Sequence, residues 1–216
     1  MLARKVKALP IRKMMAKLIF LLGFATLFIQ QVFGQDEDCK LKKDTDGIMI
    51  YACKSDNAKF RSLKADFTIE NTSLNDLVAL LQNVAKYPEW QYNMTSSEIL
   101  RRESDESVIT RSVIDAPWPV ENRELIVRYQ IVQNQQQGEI SIDARTLAYD
   151  YPKSKGLVRI PFSHAEWVVK QIGSDLKVNY SLSVDPGGSI PAWLVNMSIA
   201  EGPYHTFTNL KKELEK

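Results

Sequence analysis

Between residues 97 and 184 the chain offers almost nothing but strands, and this limits what it can fold into more than any other feature. Apolar and polar residues mark strands at 97–103, 107–115, 124–133, 138–145, 157–170 and 177–184. The connections are mostly short and polar, such as Asn134 to Gln137 and Gly173-Ser174-Asp175, as an antiparallel meander requires. Two others, 117–122 and 147–156, carry prolines and aromatics and read as packed loops. Such a sheet needs a cover for its apolar face. After Asp185-Pro186-Gly187-Gly188 stops the last strand, residues 190–214 provide one. Trp193, Met197, Ala200, Tyr204, Phe207, Leu210 and Leu214 recur at steps of three and four and form a single helical stripe. Pro191 falls in its first turn, where a missing amide costs nothing, whereas Gly202-Pro203 should kink the helix or break it in two.

Upstream, residues 39–54 read as a hairpin. Asp44-Thr45-Asp46-Gly47 suits a three-residue loop with a bulge, closing on a left-handed glycine. Residues 65–70 alternate as a further strand. Ser73 and Asp76 then resemble a capping box that opens a helix through Leu74, Leu77, Val78, Leu81, Val84 and Ala85, ended by Tyr87-Pro88. The fold class is α+β: a long antiparallel sheet, one inserted helix and a terminal helix laid on the sheet.

Residues 1–34 read as a secretory signal. Arg4, Lys5, Lys7, Arg12, Lys13 and Lys17 precede an apolar run from Leu18 to Ile29, and Val32-Phe33-Gly34 ends the segment. About a dozen apolar residues fall short of the roughly 20 that span a bilayer, so a retained anchor is the lesser alternative. Cleavage after Gly34 removes six basic residues and no acid from totals of 28 and 26, leaving 22 against 26 over residues 35–216. That mildly acidic domain gives no reason to expect a nucleic-acid partner. Export to the periplasm or medium permits a disulfide between Cys39 and Cys53. Pairing Asp44 with Ile48 sets the two cysteines opposite each other, at a spacing a bridge accepts. Two free buried thiols remain the other reading.

Four segments, in order, resemble the START family of lipid-transfer domains. They are Lys43 to Tyr51 (KDTDGIMIY), Leu77 to Trp90 (LVALLQNVAKYPEW), Pro117 to Tyr129 (PWPVENRELIVRY) and Asp185 to Asn196 (DPGGSIPAWLVN). The resemblance spans the mature chain. It implies a curved antiparallel sheet gripping the C-terminal helix around an apolar tunnel, the helix-grip arrangement. It also implies a monomeric, non-catalytic carrier of a lipid or other hydrophobic small molecule, gated by that helix and in transient contact with a membrane surface. Glu124 stands where the family favours aspartate, and Tyr129 stands where some members carry an interior arginine.

On the strand from Arg123, alternation puts Arg123, Leu125, Val127 and Tyr129 on one face, the expected tunnel lining. Arg123 there suits a phosphate or carboxylate, or else pairs with a loop acid. By pattern alone the terminal stripe is ordinary core; the resemblance turns Trp193, Met197, Ala200 and Tyr204 toward the tunnel, and adds Trp118 from the preceding loop. No zinc-like spacing, glycine-rich phosphate loop or nucleophile elbow implies a metal, a cofactor or catalysis. Ser163 and His164 are adjacent on a strand and point to opposite faces. An enzyme of the same superfamily, with Asp115, His164 or Tyr204 turned inward, and a ligand-free interaction module are the alternatives.

Overall fold

The structure, a computed structural model, describes residues 39–54, 61–134, 136–147, 151–190 and 192–215, the side chains of the last stretch from residue 199 onward. The proposed signal, Pro191 and the side chains of Trp193 and Met197 lie outside the described residues. Strands β1 (Cys39–Thr45), β2 (Ile48–Cys53) and β3 (Arg61–Ile69) are followed by α1 (Leu74–Gln82), a 3-10 turn (Val84–Lys86) and α2 (Tyr87–Trp90). Next come β4 (Met94–Arg102), β5 (Ser107–Ile114), β6 (Arg123–Asn134), β7 (Glu139–Thr146), β8 (Val158–Arg159), β9 (Phe162–Ile172) and β10 (Asp175–Asp185), and α3 (Ala192–Leu214) closes the order.

The strands form one 10-stranded sheet in the order β1-β2-β3-β10-β9-β7-β6-β5-β4, antiparallel except that β8 lies parallel to β6. Helices α1 and α2 carry the chain from β3 to the far edge at β4, and the meander returns it until β10 pairs with β3. One face is consistently apolar: Leu63, Ala65, Phe67 and Ile69 of β3 are buried while Lys64 and Thr68 are exposed. Ile140, Ile142 and Ala144 of β7 continue that face. Helix α3 crosses it against β2 and β3, burying Phe207 and Leu210 among Phe67, Val169 and Val178. The expected capping box opens α1, with the Ser73 hydroxyl accepting from the Asp76 amide at 3.2 Å and the Asp76 carboxylate accepting from the Ser73 amide.

Four local expectations are corrected. The hairpin turns on Asp46 and Gly47, both with positive φ (53° and 70°), so the loop has two residues rather than three. Thr45 therefore faces Ile48, one residue off the expected register, and a bulge at Lys42 restores it so that Cys39 still meets Cys53. The two form a disulfide with Cα atoms 3.9 Å apart. Segment 157–170 is two strands, because Pro161 has no amide to donate and separates β8 from β9. Pro88 does not end a helix but starts α2 in its first turn, α1 having stopped at Gln82. Helix α3 runs unbroken through Pro203.

Candidate functional site

The apolar face is not filled evenly. Pairing across the sheet aligns Leu63, Leu182, Ala165, Ala144 and Tyr129 in one row, from β3 through β10, β9 and β7 to β6. In the next row stand Ala65, Tyr180, Trp167, Ile142 and Ile131. Ala144 and Ala165 are directly opposed, so two methyl groups lie side by side where the neighbouring rows carry bulk. The hollow above them is a chamber of about 360 Å³, within the range of small-molecule sites. Helix α3 covers it with Ile199, Gly202, Pro203, Thr206 and Phe207, and α2 and β4 contribute Trp90 and Met94.

A second space of about 700 Å³ adjoins the chamber, sharing Tyr92, Ile114, Pro186, Ile190 and Gly202 with it. This outer vestibule carries charge: Asp115, Arg123, Glu201 and His205 line it. Arg123 is 6% exposed. Its guanidinium donates to the carbonyls of Glu121 and Gly187, and among the described residues no carboxylate forms an ion pair with it. Burial lowers its pKa, and the field of Glu121 opposes that shift. Asp115 accepts from the Asn122 amide group at 2.7 Å, and His205 stacks on Tyr92 with ring centroids 4.8 Å apart.

Residues 40–215 match the START domain family. The chain belongs to that family. An uncharacterized protein of Pseudomonas aeruginosa is 28% identical over 181 residues, covering 83% of this chain and 88% of that protein. Phosphatidylcholine transfer protein of Mus musculus is 22% identical over 175 residues, 76% of this chain and 78% of that one. Among solved structures, the STAR-related lipid transfer protein of Xanthomonas axonopodis superposes with a TM-score of 0.75 at 27% identity, covering 82% of this chain and 99% of that chain.

Within this START domain the expected ligand-facing residues separate. Tyr129 lines the chamber and Arg123 the vestibule. Val127 is buried and Leu125 half-buried, and neither is among the described residues lining either space. Trp118 stands 90% exposed on the loop whose Ala116 and Pro117 line the vestibule. Ala200 is half-buried and outside both linings. The chamber wall of α3 is instead the adjacent row of Ile199, Gly202, Pro203 and Thr206, which sequence reasoning passed over because glycine, proline and threonine do not read as an apolar stripe. Ala144, Ala165 and Tyr180 were also missed. The available signal was a pair of alanines at inward positions of strands otherwise rich in large residues.

Tyr204 has a different part. Its hydroxyl donates to Asp46 Oδ2 at 2.5 Å, and this bond, with some burial, raises the hydroxyl pKa. Lys43 Nζ lies 4.1 Å from the Tyr204 ring centroid and bonds both Glu201 carboxylate oxygens at 2.9 Å. These contacts latch α3 to the disulfide-closed β1–β2 hairpin. His164 sits apart from both spaces: its Nε2 is 2.8 Å from Asp143 Oδ2, and Arg145 holds the same carboxylate at 2.7 and 3.0 Å.

Under the vestibule, Glu124 anchors the frame of the site. It is 1% exposed and accepts from Arg111 Nε at 2.6 Å, Arg159 Nη2 at 2.6 Å and Arg159 Nε at 2.8 Å, and from Ser154. Burial by itself would raise its pKa; the hydrogen bonds from Ser154, Arg111 and Arg159 overcome that and hold it at about 2. Glu124 thereby ties β5, β8 and the loop before β8 to β6.

Proposed function

We propose that this START domain is a non-catalytic carrier that binds and transfers a lipid or other hydrophobic small molecule, with α3 as wall and gate of the chamber. The observation that carries this reading is the hollow over Ala144 and Ala165: an apolar space under the stretch of α3 from Ile199 to Thr206, while Phe207 and Leu210 pack the same helix into the core beside it. Burying a methylene is worth about 0.8 kcal/mol against water but nearly nothing against a bilayer. Retention against water therefore comes from the chamber walls, and selectivity from the few polar groups and the shape. Arg123 is the proposed contact for an anionic group at the mouth, since its fork has no carboxylate partner there. Trp118, amphipathic and exposed beside the vestibule, is the proposed contact with the membrane surface during uptake. Removal of residues 1–34 would deliver the domain outside the cytoplasm, a setting that suits the Cys39–Cys53 disulfide.

The test is transfer between vesicles. Donor vesicles of labelled total lipid from the producing cells are mixed with unlabelled acceptors, with and without the protein. Carriage predicts accelerated movement of one lipid class, lost in Ala144→Leu/Ala165→Leu. Acceleration of no class, or equal acceleration by that filled variant, rejects it.

A further inference from the structure

The inner end of the chamber carries a polar feature that an apolar container does not need. Tyr180 and Tyr129 both line it, and both are half-buried by accessible surface. Yet burial drives the Tyr129 hydroxyl up to about 12, and burial together with the neighbouring Tyr129 raises that of Tyr180 as well. The surface these rings expose faces the chamber that both line. Tyr129 is bonded by the Gln91 side chain. Tyr87, which also lines the chamber, spends its hydroxyl on the Leu81 carbonyl at 2.6 Å. Tyr180 makes ring contacts with Trp167 and Phe207, and its hydroxyl has no hydrogen-bond partner among the described residues.

Charge is confined to the other end. Arg61 is the charged residue among the described chamber lining, and it sits opposite Val184 in the β3–β10 pairing. Val184 is four positions from Tyr180, a distance of about 13 Å at the usual rise of a strand. Arg123, Asp115, Glu201 and His205 belong to the vestibule. The space thus runs from a charged mouth to Tyr129, in the row of the two alanines, and Tyr180, one row further in.

Resting on the carrier reading, we infer that Tyr129 and Tyr180 form an inner subsite for an uncharged hydrogen-bonding group, a hydroxyl, carbonyl or ester, on the buried end of the ligand. A phenol held protonated both donates and accepts, so it matches such a group, whereas it offers a carboxylate or phosphate no countercharge. The expected ligand is an apolar body with an uncharged polar group at the end inserted first.

Tritiated 1-dodecanol and dodecane, which differ in one hydroxyl, test this by co-elution with delipidated protein on gel filtration. Dodecanol should bind about fivefold or more tighter. Tyr129→Phe/Tyr180→Phe should bring dodecanol down to the level of dodecane and leave dodecane unchanged, which also shows that the variant is folded. Equal binding of both compounds by the unaltered protein, or a preference that survives in the double variant, overturns the inner subsite while leaving carriage standing. Binding of neither compound overturns the subsite, and carriage falls with it only where vesicle transfer fails as well.

Discussion

Ala144 and Ala165 oppose each other across β7 and β9, and both line the chamber that α3 covers. Ala165→Leu would put three more carbons into that space. Since no side chain of the described lining fills that space, binding should be abolished while the melting temperature holds or rises; in a filled core the same change would cost roughly 1 to 3 kcal/mol. Thermal unfolding and ligand stoichiometry on one sample distinguish the two. Arg123→Leu separates mouth from chamber: retention of an acidic lipid should fall and that of a neutral one stay nearly constant, and equal loss for both would assign Arg123 to structure. Glu124 makes a pH prediction. Its folded pKa of about 2 lies below an unfolded value of about 4.3, so its stabilising contribution is complete above that value and is lost as pH falls through about 2. Glu124→Gln leaves Arg159, itself buried, without its carboxylate, so stability at neutral pH should drop by about 3 to 5 kcal/mol and the acid slope in denaturant melts should flatten.

At the scale of elements, the latch between α3 and the hairpin governs how easily the chamber opens. Glu201→Gln removes the ion pair with Lys43, a half-exposed contact worth about 1 kcal/mol or less, so global stability should barely change. Ligand exchange should nonetheless quicken, because these contacts hold the stretch of α3 over the chamber while Phe207 and Leu210 keep its following turns packed on the sheet; unchanged exchange kinetics would remove the latch from the gate. Replacing both cysteines with serine should cost roughly 3 kcal/mol, given the 14-residue separation, and thiol-free denaturant melts read this directly. The strands, the capping box and the last helix were legible because each follows from local alternation, spacing or capping chemistry. The hairpin loop was misread by one residue, yet Cys39 and Cys53 still meet, since the Lys42 bulge undoes the shift and no local pattern announces a bulge. The chamber was less legible than the fold. A cavity is made by what side chains omit, and the opposition of Ala144 to Ala165 appears only once β7 and β9 are in register.

For the whole molecule, the account comes down to a sheet and helix that enclose space rather than fill it, in a chain of the START domain family. Chamber walls with no partner atoms forgo contacts that stabilise a core, so a bound ligand should occupy the chamber. Native mass spectrometry of the protein, purified without detergent from the cells that make it, reads this most directly, beside the mass of the same sample after denaturation. The account predicts a stoichiometric extra mass that denaturation releases and that Ala144→Leu/Ala165→Leu never carries. A bare polypeptide mass under gentle conditions, together with failure to take up any lipid from vesicles, would contradict it.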